Sequence, residues 1–468
     1  MKKSLLILFS LLSSLFCFAQ NYYSTTIGTS LNEEGQEFIQ DTDSTFLIFG
    51  RSQEKEGFLI KINLEGDTIF SKYYPQMSFG KDIIKTSENE YLLLGESGEI
   101  IRISSNGNII WQKKILKSRT NKLLKIDKDH FIVAGSIEVF DQIKEVPDLG
   151  LDSVFQADVL IKKFDNEGNC IKTEIINLSS DSDWASDLIF KDDTIYALCT
   201  SYLNKYPNIA LIKLDTNLQV LNDTVYQNNG IYTGTSFVLN ENNEFIVTGV
   251  KWKDFTEHRN LFVTKFDAKG NKLWQNDINY DSTDEGIKII KSKNNDYCIL
   301  GETDNGENGV TQKRNLILLR VDESGVVKLK KLLDFEGRKM GFSIIEADRN
   351  SLFILGTTDY LTHGGIDILL IHCDSTGFFN TGVPQLNILE NRLFVFPNPT
   401  IGYFRIKSNY VENSIKSFSL YNLMGIKLAD YQFHNEEQEY YLNVDNGVYF
   451  IELTDINNKK QVTRIIKK

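Results

Sequence analysis

Leu261 to Trp274, LFVTKFDAKGNKLW, is the stretch whose reading decides the fold. Leu261, Phe262 and Val263 are apolar in succession and Thr264-Lys265-Phe266 then alternates, as a largely buried strand emerging toward solvent would. Asp267 to Asn271 turns the chain, and Lys272-Leu273-Trp274 starts a returning strand. Asp can accept a hydrogen bond from the backbone two residues on, and Gly supplies the positive φ that closes a short hairpin. Related turns recur at Asn63 to Gly66, Ser104 to Gly107, Asp165 to Gly168, Asp215 to Leu218, Asp322 to Gly325 and Asp374 to Gly377. Seven hairpins spaced about 40 to 60 residues apart fall in the range of propeller blades.

A second element keeps step with the first. Ahead of the hairpins lie the apolar runs Phe46 to Gly50, Tyr91 to Gly95, Phe131 to Gly135, Ile195 to Cys199, Phe245 to Gly249, Tyr297 to Gly301 and Leu352 to Gly356. Continuous apolar runs of this length suit strands buried on both faces, and a weaker strand precedes each. Each unit therefore reads as four strands, A to D. One such sheet cannot bury both faces alone, whereas seven packed radially can. The fold class is all-β: a seven-bladed β-propeller over 20–380, followed by a small C-terminal antiparallel β-sandwich. Tyr22 to Ile27 occupies a D-strand place ahead of the first A strand, so it is expected to complete the last blade beside Ile366 to Cys373 and remove its open edge. In the fourth hairpin Leu218 stands where the others have Gly, and Asn217 is expected to carry the left-handed conformation.

Residues 1–19 read as a secretory signal: basic Lys2 and Lys3, an apolar stretch from Leu5 to Phe18, and a cleavage point at Phe18-Ala19-Gln20. That stretch is short for a span and polar sequence follows, so no membrane insertion is expected. The formal net charge of −12 becomes two units more negative when the signal leaves, which disfavours nucleic acid as a partner. Cys170, Cys199, Cys298 and Cys373 fall in different blades without C-x-x-C spacing and are expected to be buried free thiols.

The pattern ends after Gly377. Residues 381–389 read as a linker and a different module occupies 390–468. It carries Leu393-Phe-Val-Phe-Pro397-Asn398-Pro399-Thr400, Gly402 and Phe404; then Leu420-Tyr-Asn-Leu-Met-Gly425; then Asn446-Gly447-Val448-Tyr449-Phe450-Ile451; and finally Ile465-Ile-Lys467-Lys468. Short alternating strands, a rigid Pro-Asn-Pro entry and hairpin turns at Gly425 and Gly447 suit a small sandwich. In order and spacing this module resembles the type A C-terminal sorting domain of the type IX secretion system of Bacteroidetes. The resemblance implies recognition by the secretion translocon, through Pro397, Asn398, Pro399, Gly402, Gly425, Gly447, Tyr449 and Lys467 as its motif. It also implies periplasmic transit followed by release or attachment at the cell surface.

No catalytic motif emerges: there is no H-E-x-x-H, G-x-S-x-G, phosphate-binding Gly loop or EF-hand. Cofactors and metals are expected to be none. Asp267 to Trp274 partly resembles the tryptophan-docking repeat of quinoproteins, but only Trp111 and Trp274 hold the Trp place, and no hairpin matches a sialidase-type aspartate box. Asp-Ser/Thr pairs at Ser44, Thr68, Ser153, Thr194, Thr224, Ser282 and Ser375 resemble the O-glycosylation signal of exported Bacteroidetes proteins, and also suit plain hairpin turns.

The C–D turns are short and alike, whereas the B–C connections vary and must all emerge on the opposite face. Variable loops on a rigid scaffold are where recognition is built. Those loops, among them Ser136 to Ala157, bring aromatic and polar groups together: Tyr202, Tyr206, Trp252, Phe255, His258, Arg259 and Tyr360. Such a face suits a glycan or a surface protein, and the expectation is a non-enzymatic binding or scaffold protein. The alternatives are a propeller hydrolase, lyase or quinoprotein, which needs clustered acids or His around the central channel, and a structural surface-layer component.

Overall fold

A computed structural model of the protein describes residues 22–379 and 393–468. Excepted are 29–30, 53–55, 65, 88, 147–149, 204–205, 227–229, 253–257, 281–282, 305–313, 348–350, 361, 363–364, 397, 409–414, 424, 435–437 and 456–459. The signal segment, the linker, Phe255, Ser282 and Pro397 lie outside the described residues. Chain contacts divide the protein into two units, 1–382 and 383–468.

The first unit is a seven-bladed β-propeller. Six four-stranded antiparallel sheets follow in chain order, at 33–74, 80–114, 118–176, 183–225, 231–278 and 283–333. In the seventh, Lys339–Glu346, Leu352–Thr358 and Asp367–Cys373 take their outermost partner from the other end of the chain, Tyr23–Ile27. Register runs from Tyr23 opposite His372 to Ile27 opposite Ile368. The innermost strand of each blade touches that of the next, and Glu33–Thr42 of blade 1 touches Lys339–Glu346 of blade 7, closing the ring. Seven apolar cores result, one in each gap between neighbouring blades. Asp367–Cys373 is buried along its whole length, as a strand with a blade on each side must be.

The Gly that ends six of the seven B runs has a structural cause. Every A strand carries a β-bulge at one position, between Gly35 and Glu37 in blade 1 and at the equivalent place in the other six. The bulge drives an A-strand carbonyl against the B strand: a Cβ on Gly50 would lie 1.9 Å from the Glu34 oxygen. Bulges bend and retwist the strand, and they aim the residue that follows into the axis.

The C–D hairpins share one chemistry. In the fifth, Gly270 N–H donates to the Asp267 carbonyl at 2.9 Å, and Asp267 Oδ1 accepts from Lys269 and Asn271 N–H. Among the described residues, five of the seven turns, in blades 1, 2, 3, 5 and 6, are also latched by an aromatic side chain of the blade before. Tyr74, Trp111, Tyr226 and Trp274, at the outer edges of blades 1, 2, 4 and 5, donate to backbone carbonyls of the next blade's C–D turn. Tyr23 of the N-terminal strand does the same to Leu64 of blade 1, at 2.5 Å. Trp111 and Trp274 therefore have a structural use as interblade latches.

Leu218, and not Asn217, carries the left-handed backbone, at φ 60°. The turn requires positive φ at its fourth position whichever residue sits there. Leu218 is fully buried in the core between blades 3 and 4. Relief of strain at a non-Gly positive φ is worth about 1 kcal/mol, whereas truncating a buried Leu costs roughly 3–5 kcal/mol. Burial wins, so Leu218→Gly is expected to destabilise by about 2–3 kcal/mol. Gly270→Val is expected to cost about 2 kcal/mol or more, through strain at φ 92° and a Cβ 2.3 Å from the Tyr226 hydroxyl oxygen. Denaturant titration of both variants checks this; a stabilised Leu218→Gly would contradict it.

Three other expectations change. Ser136 to Ala157 is no open loop, because His130–Val146 and Gly150–Asp165 continue as one long β-ribbon, paired to Val146–Gly150. Cys170 is exposed, since it begins an outermost strand, while Cys199, Cys298 and Cys373 are buried. Burial pushes the Cys298 thiol up to about 12 and raises those of Cys199 and Cys373 as well. Gly447 lies in no turn; it opens the strand Gly447–Asp455, paired with Lys467.

The second unit packs a three-stranded sheet (Leu393–Phe396, Tyr403–Ser408, Tyr440–Tyr441) on a four-stranded one (Lys427–Gln432, Ile415–Tyr421, Gly447–Asp455, Lys460–Lys467). Its core draws Phe404, Ile406 and Tyr440 from one sheet and Phe418, Ile451 and Ile465 from the other.

Candidate functional site

The bulges create a ring that no single blade announces. The residues after them are Glu37, Asp82, Lys122, Asp187, Ser236, Lys288 and Ser343, one from each blade. Glu37 of blade 1 reaches Lys122 of blade 3 at 3.3 Å and Lys288 of blade 6 at 3.5 Å, and accepts from the Ser343 hydroxyl of blade 7. Blades 1, 3 and 6 are not neighbours, so these side chains meet across the axis. Lys122 also pairs with Asp82 at 3.3 Å. Asp82 accepts from Leu123 N–H at 2.7 Å, and Asp187 from the Ser236 hydroxyl at 2.9 Å.

Burial alone would raise the Glu37 carboxyl, but Lys288, Lys122 and the Ser343 hydroxyl bring it down to about 2. Burial pushes Asp82 up to about 6, with Glu37 adding to the rise and Lys122 opposing it. Lys122, which burial would depress, is held well above its ordinary value by Asp82, Glu37 and Asp187. Because the Glu37 value is depressed, its contribution to stability is present above the unfolded carboxyl value near 4.3 and fades as pH falls toward about 2. Glu37→Gln, which removes the carboxylate facing both lysines, is expected to cost about 3 kcal/mol at pH 7 and to flatten that acid limb. Denaturant titrations at pH 7, 4 and 3 check both effects; an unchanged acid limb would contradict the assignment.

The A-strand residue just before each bulge sits one layer out, toward the B–C face. These are Glu34, Phe79, Arg119, Trp184, Thr233, Glu285 and Met340, and all are at least partly exposed. Two sectors repeat one device. Arg51 forks onto Glu34 at 2.8 and 2.7 Å and lies over the Phe79 ring at 4.5 Å. Arg259 pairs with Glu285 at 2.7 Å and lies over Trp252 at 5.1 Å. A fixed guanidinium between a carboxylate and a ring offers a flat cationic face and hydrogen-bond donors together. Between these sectors Trp184 packs on Tyr202 at 5.7 Å.

Of the residues predicted from sequence, Trp252 and Arg259 come together, and Tyr202 joins Trp184. Tyr206 is exposed at the tip of the blade 4 ribbon, opposite Leu203. His258 is exposed. Tyr360 is half-buried two blades from Trp252, beside Gly337. Glu34, Arg51, Phe79, Trp184 and Glu285 were missed; their signal is the place just before the A-strand bulge. Ser44 and Thr68 are exposed, Thr194, Thr224 and Ser375 half-buried, and Ser153 lies in the blade 3 ribbon.

In the C-terminal module the motif residues hold the termini together. Asn398 donates to the Arg464 carbonyl and accepts from Ile466 N–H, both at 2.8 Å. Pro399 follows in the same exposed entry segment. Gly402 takes φ 128° and its carbonyl accepts from Leu442 N–H at 2.7 Å. Gly425 closes a turn with the chemistry of the blade hairpins, donating to Asn422 at 3.0 Å. Tyr449 donates to the Asp445 carbonyl at 2.8 Å, and Lys467 to the carbonyls of Leu442 and Val444 at 2.9 and 2.6 Å.

The chain is thus a closed propeller carrying a separate terminal sandwich. Residues 394–468 match the family described as the secretion system C-terminal sorting domain. The C-terminal module is that sorting domain, which marks its carrier for export to the cell surface or medium by the type IX system and implies contact with that machinery. No curated protein matches the chain. Among solved structures, BamB from Moraxella catarrhalis is similar at 12% identity, covering 75% of this chain and 99% of that one at a TM-score of 0.42. That likeness is too distant to bear on function.

Proposed function

We propose that the protein is an exported, non-enzymatic binding propeller whose ligand seat is the B–C mouth. The observation that carries this reading is the repeated carboxylate–Arg–ring device, built on blades 1–2 and again on blades 5–6 around an axis crossed by ion pairs. Rings set beside fixed donors suit a glycan or the polar surface of a protein partner. The competing enzymatic reading needs clustered acids on the axis. Three are there, but Glu37, Asp82 and Asp187 are engaged by lysines, hydroxyls and backbone N–H groups of other blades. Such a network serves ring closure better than proton transfer.

Phe79→Ala and Trp252→Ala are each expected to weaken binding by roughly 1–3 kcal/mol, taking the base-stacking range as a proxy, and to add because they sit in separate sectors. Changes at Ser105 and Glu167, in C–D turns on the opposite face, are expected to leave affinity unchanged. A glycan array identifies the ligand, and calorimetry on each variant measures affinity. Weakening by the C–D changes with intact binding in Trp252→Ala would place the seat on the wrong face.

A further inference from the structure

The seven blades serve as controls for one another. In each C strand, the side chain three residues before the turn-opening residue lies in the row facing the preceding blade. In six blades that place holds Ile60, Ile101, Lys162, Ile212, Leu319 or Ile371. In blade 5 it holds Thr264, between Phe262 and Phe266, which both belong to the core shared with blade 4. The missing side-chain volume is left open. A cavity of about 250 Å³ lies between blades 4 and 5, lined by Ile209 and Tyr226 on one side and Tyr232, Thr264, Phe266 and Gln275 on the other. Thr264 is 2% exposed, and its hydroxyl has no hydrogen-bond partner among the described residues. A buried hydroxyl left unpaired is costly, and it marks Thr264 as a poor filler for a core place that five other blades give to Ile or Leu.

We propose that this cleft is a second binding site and takes a single pyranose ring, the terminal sugar of a glycan. The volume falls just under the range of small-molecule sites, which suits one ring and not a chain. Tyr226 and Phe266, 4.3 Å apart, and Tyr232 offer aromatic surface for the apolar face of a sugar. The Gln275 amide and the Lys272 ammonium, both in the lining, offer partners for its hydroxyls. No carboxylate lines the cavity, so nothing there favours a cation. The site is independent of the B–C mouth, and neither reading rests on the other.

The test titrates the full chain with glucose, galactose, mannose and N-acetylglucosamine, by saturation-transfer NMR and calorimetry. At least one of these is expected to bind with a Kd of about 10 mM or tighter. Thr264→Ile restores the side chain of the repeat; it is expected to weaken that binding at least about tenfold and to raise the melting temperature by filling the void. Ser105→Ala, in a C–D turn of blade 2 remote from the cleft, is expected to leave it unchanged. The proposal is overturned if none of the four sugars binds, if Thr264→Ile binds as the parent does, or if Thr264→Ile melts lower. Binding lost in Trp252→Ala but kept in Thr264→Ile would put the sugar at the mouth, overturning the cleft site while leaving the proposed function standing.

Discussion

A protein lacking Tyr23–Ile27 is expected to melt roughly 5 °C below the full chain and to self-associate. Five residue pairs hold this strand to Asp367–Cys373. Burial of Ile27 and the Tyr23 ring contributes about 2 kcal/mol each, and the ladder adds about 1 kcal/mol net per hydrogen bond. Fixing the strand costs about 1–2 kcal/mol per residue and offsets part of this. The remainder grows because the strand joins two blades. Tyr23 sets its ring edge-on to His372 at 5.6 Å in blade 7 and donates its hydroxyl to Leu64 in blade 1. We expect a net loss of about 3–5 kcal/mol, and near 1–2 °C per kcal/mol for a chain of this size. Its removal also bares the edge of an apolar strand, Ile368 to Ile371, which is a template for intermolecular pairing. Calorimetry with light scattering measures both; a truncated protein that melts like the parent and stays monomeric would show the strand to be a tail.

The ring was legible in the sequence because its signals are local. Asp267 and Gly270 define a turn within five residues, and the B runs announce strands buried on both sides. The closing strand was legible because Tyr22 to Ile27 sits where a D strand sits elsewhere. The axial ring was not legible. Its members are Glu, Asp, Lys, Asp, Ser, Lys and Ser, so no single residue type marks the position, and Glu37 meets Lys288 only after 251 residues have closed a circle. The same holds for the mouth: Arg51 and Glu34 become cross-strand partners only through the bulge at Gly35. Leu218 was misread because Asn is the usual non-Gly residue at positive φ, whereas here turn position and core burial decide. Gly447 was misread because Gly so often marks a turn; here it begins a strand.

Deleting 393–468 is expected to abolish export while leaving the propeller folded. Each unit has its own core: the seven interblade clusters draw only on residues up to Phe379, and the sandwich core only on residues after 394. A module that contributes nothing to the propeller's core and matches a secretion sorting domain is an address, read by a receptor and not by the fold. Asn398 and Lys467 tie the module's entry and final strand together, so Asn398→Ala should impair export in the same direction but less completely. The decisive measurement is fractionation of a type IX-competent host expressing the full chain and the 1–392 truncation, each assayed for the propeller in periplasm, at the surface and in medium. Full-length protein is expected at the surface or in the medium, and the truncation trapped in the periplasm with the parent's protease resistance. Truncated propeller reaching the surface or medium at the full chain's level would contradict this.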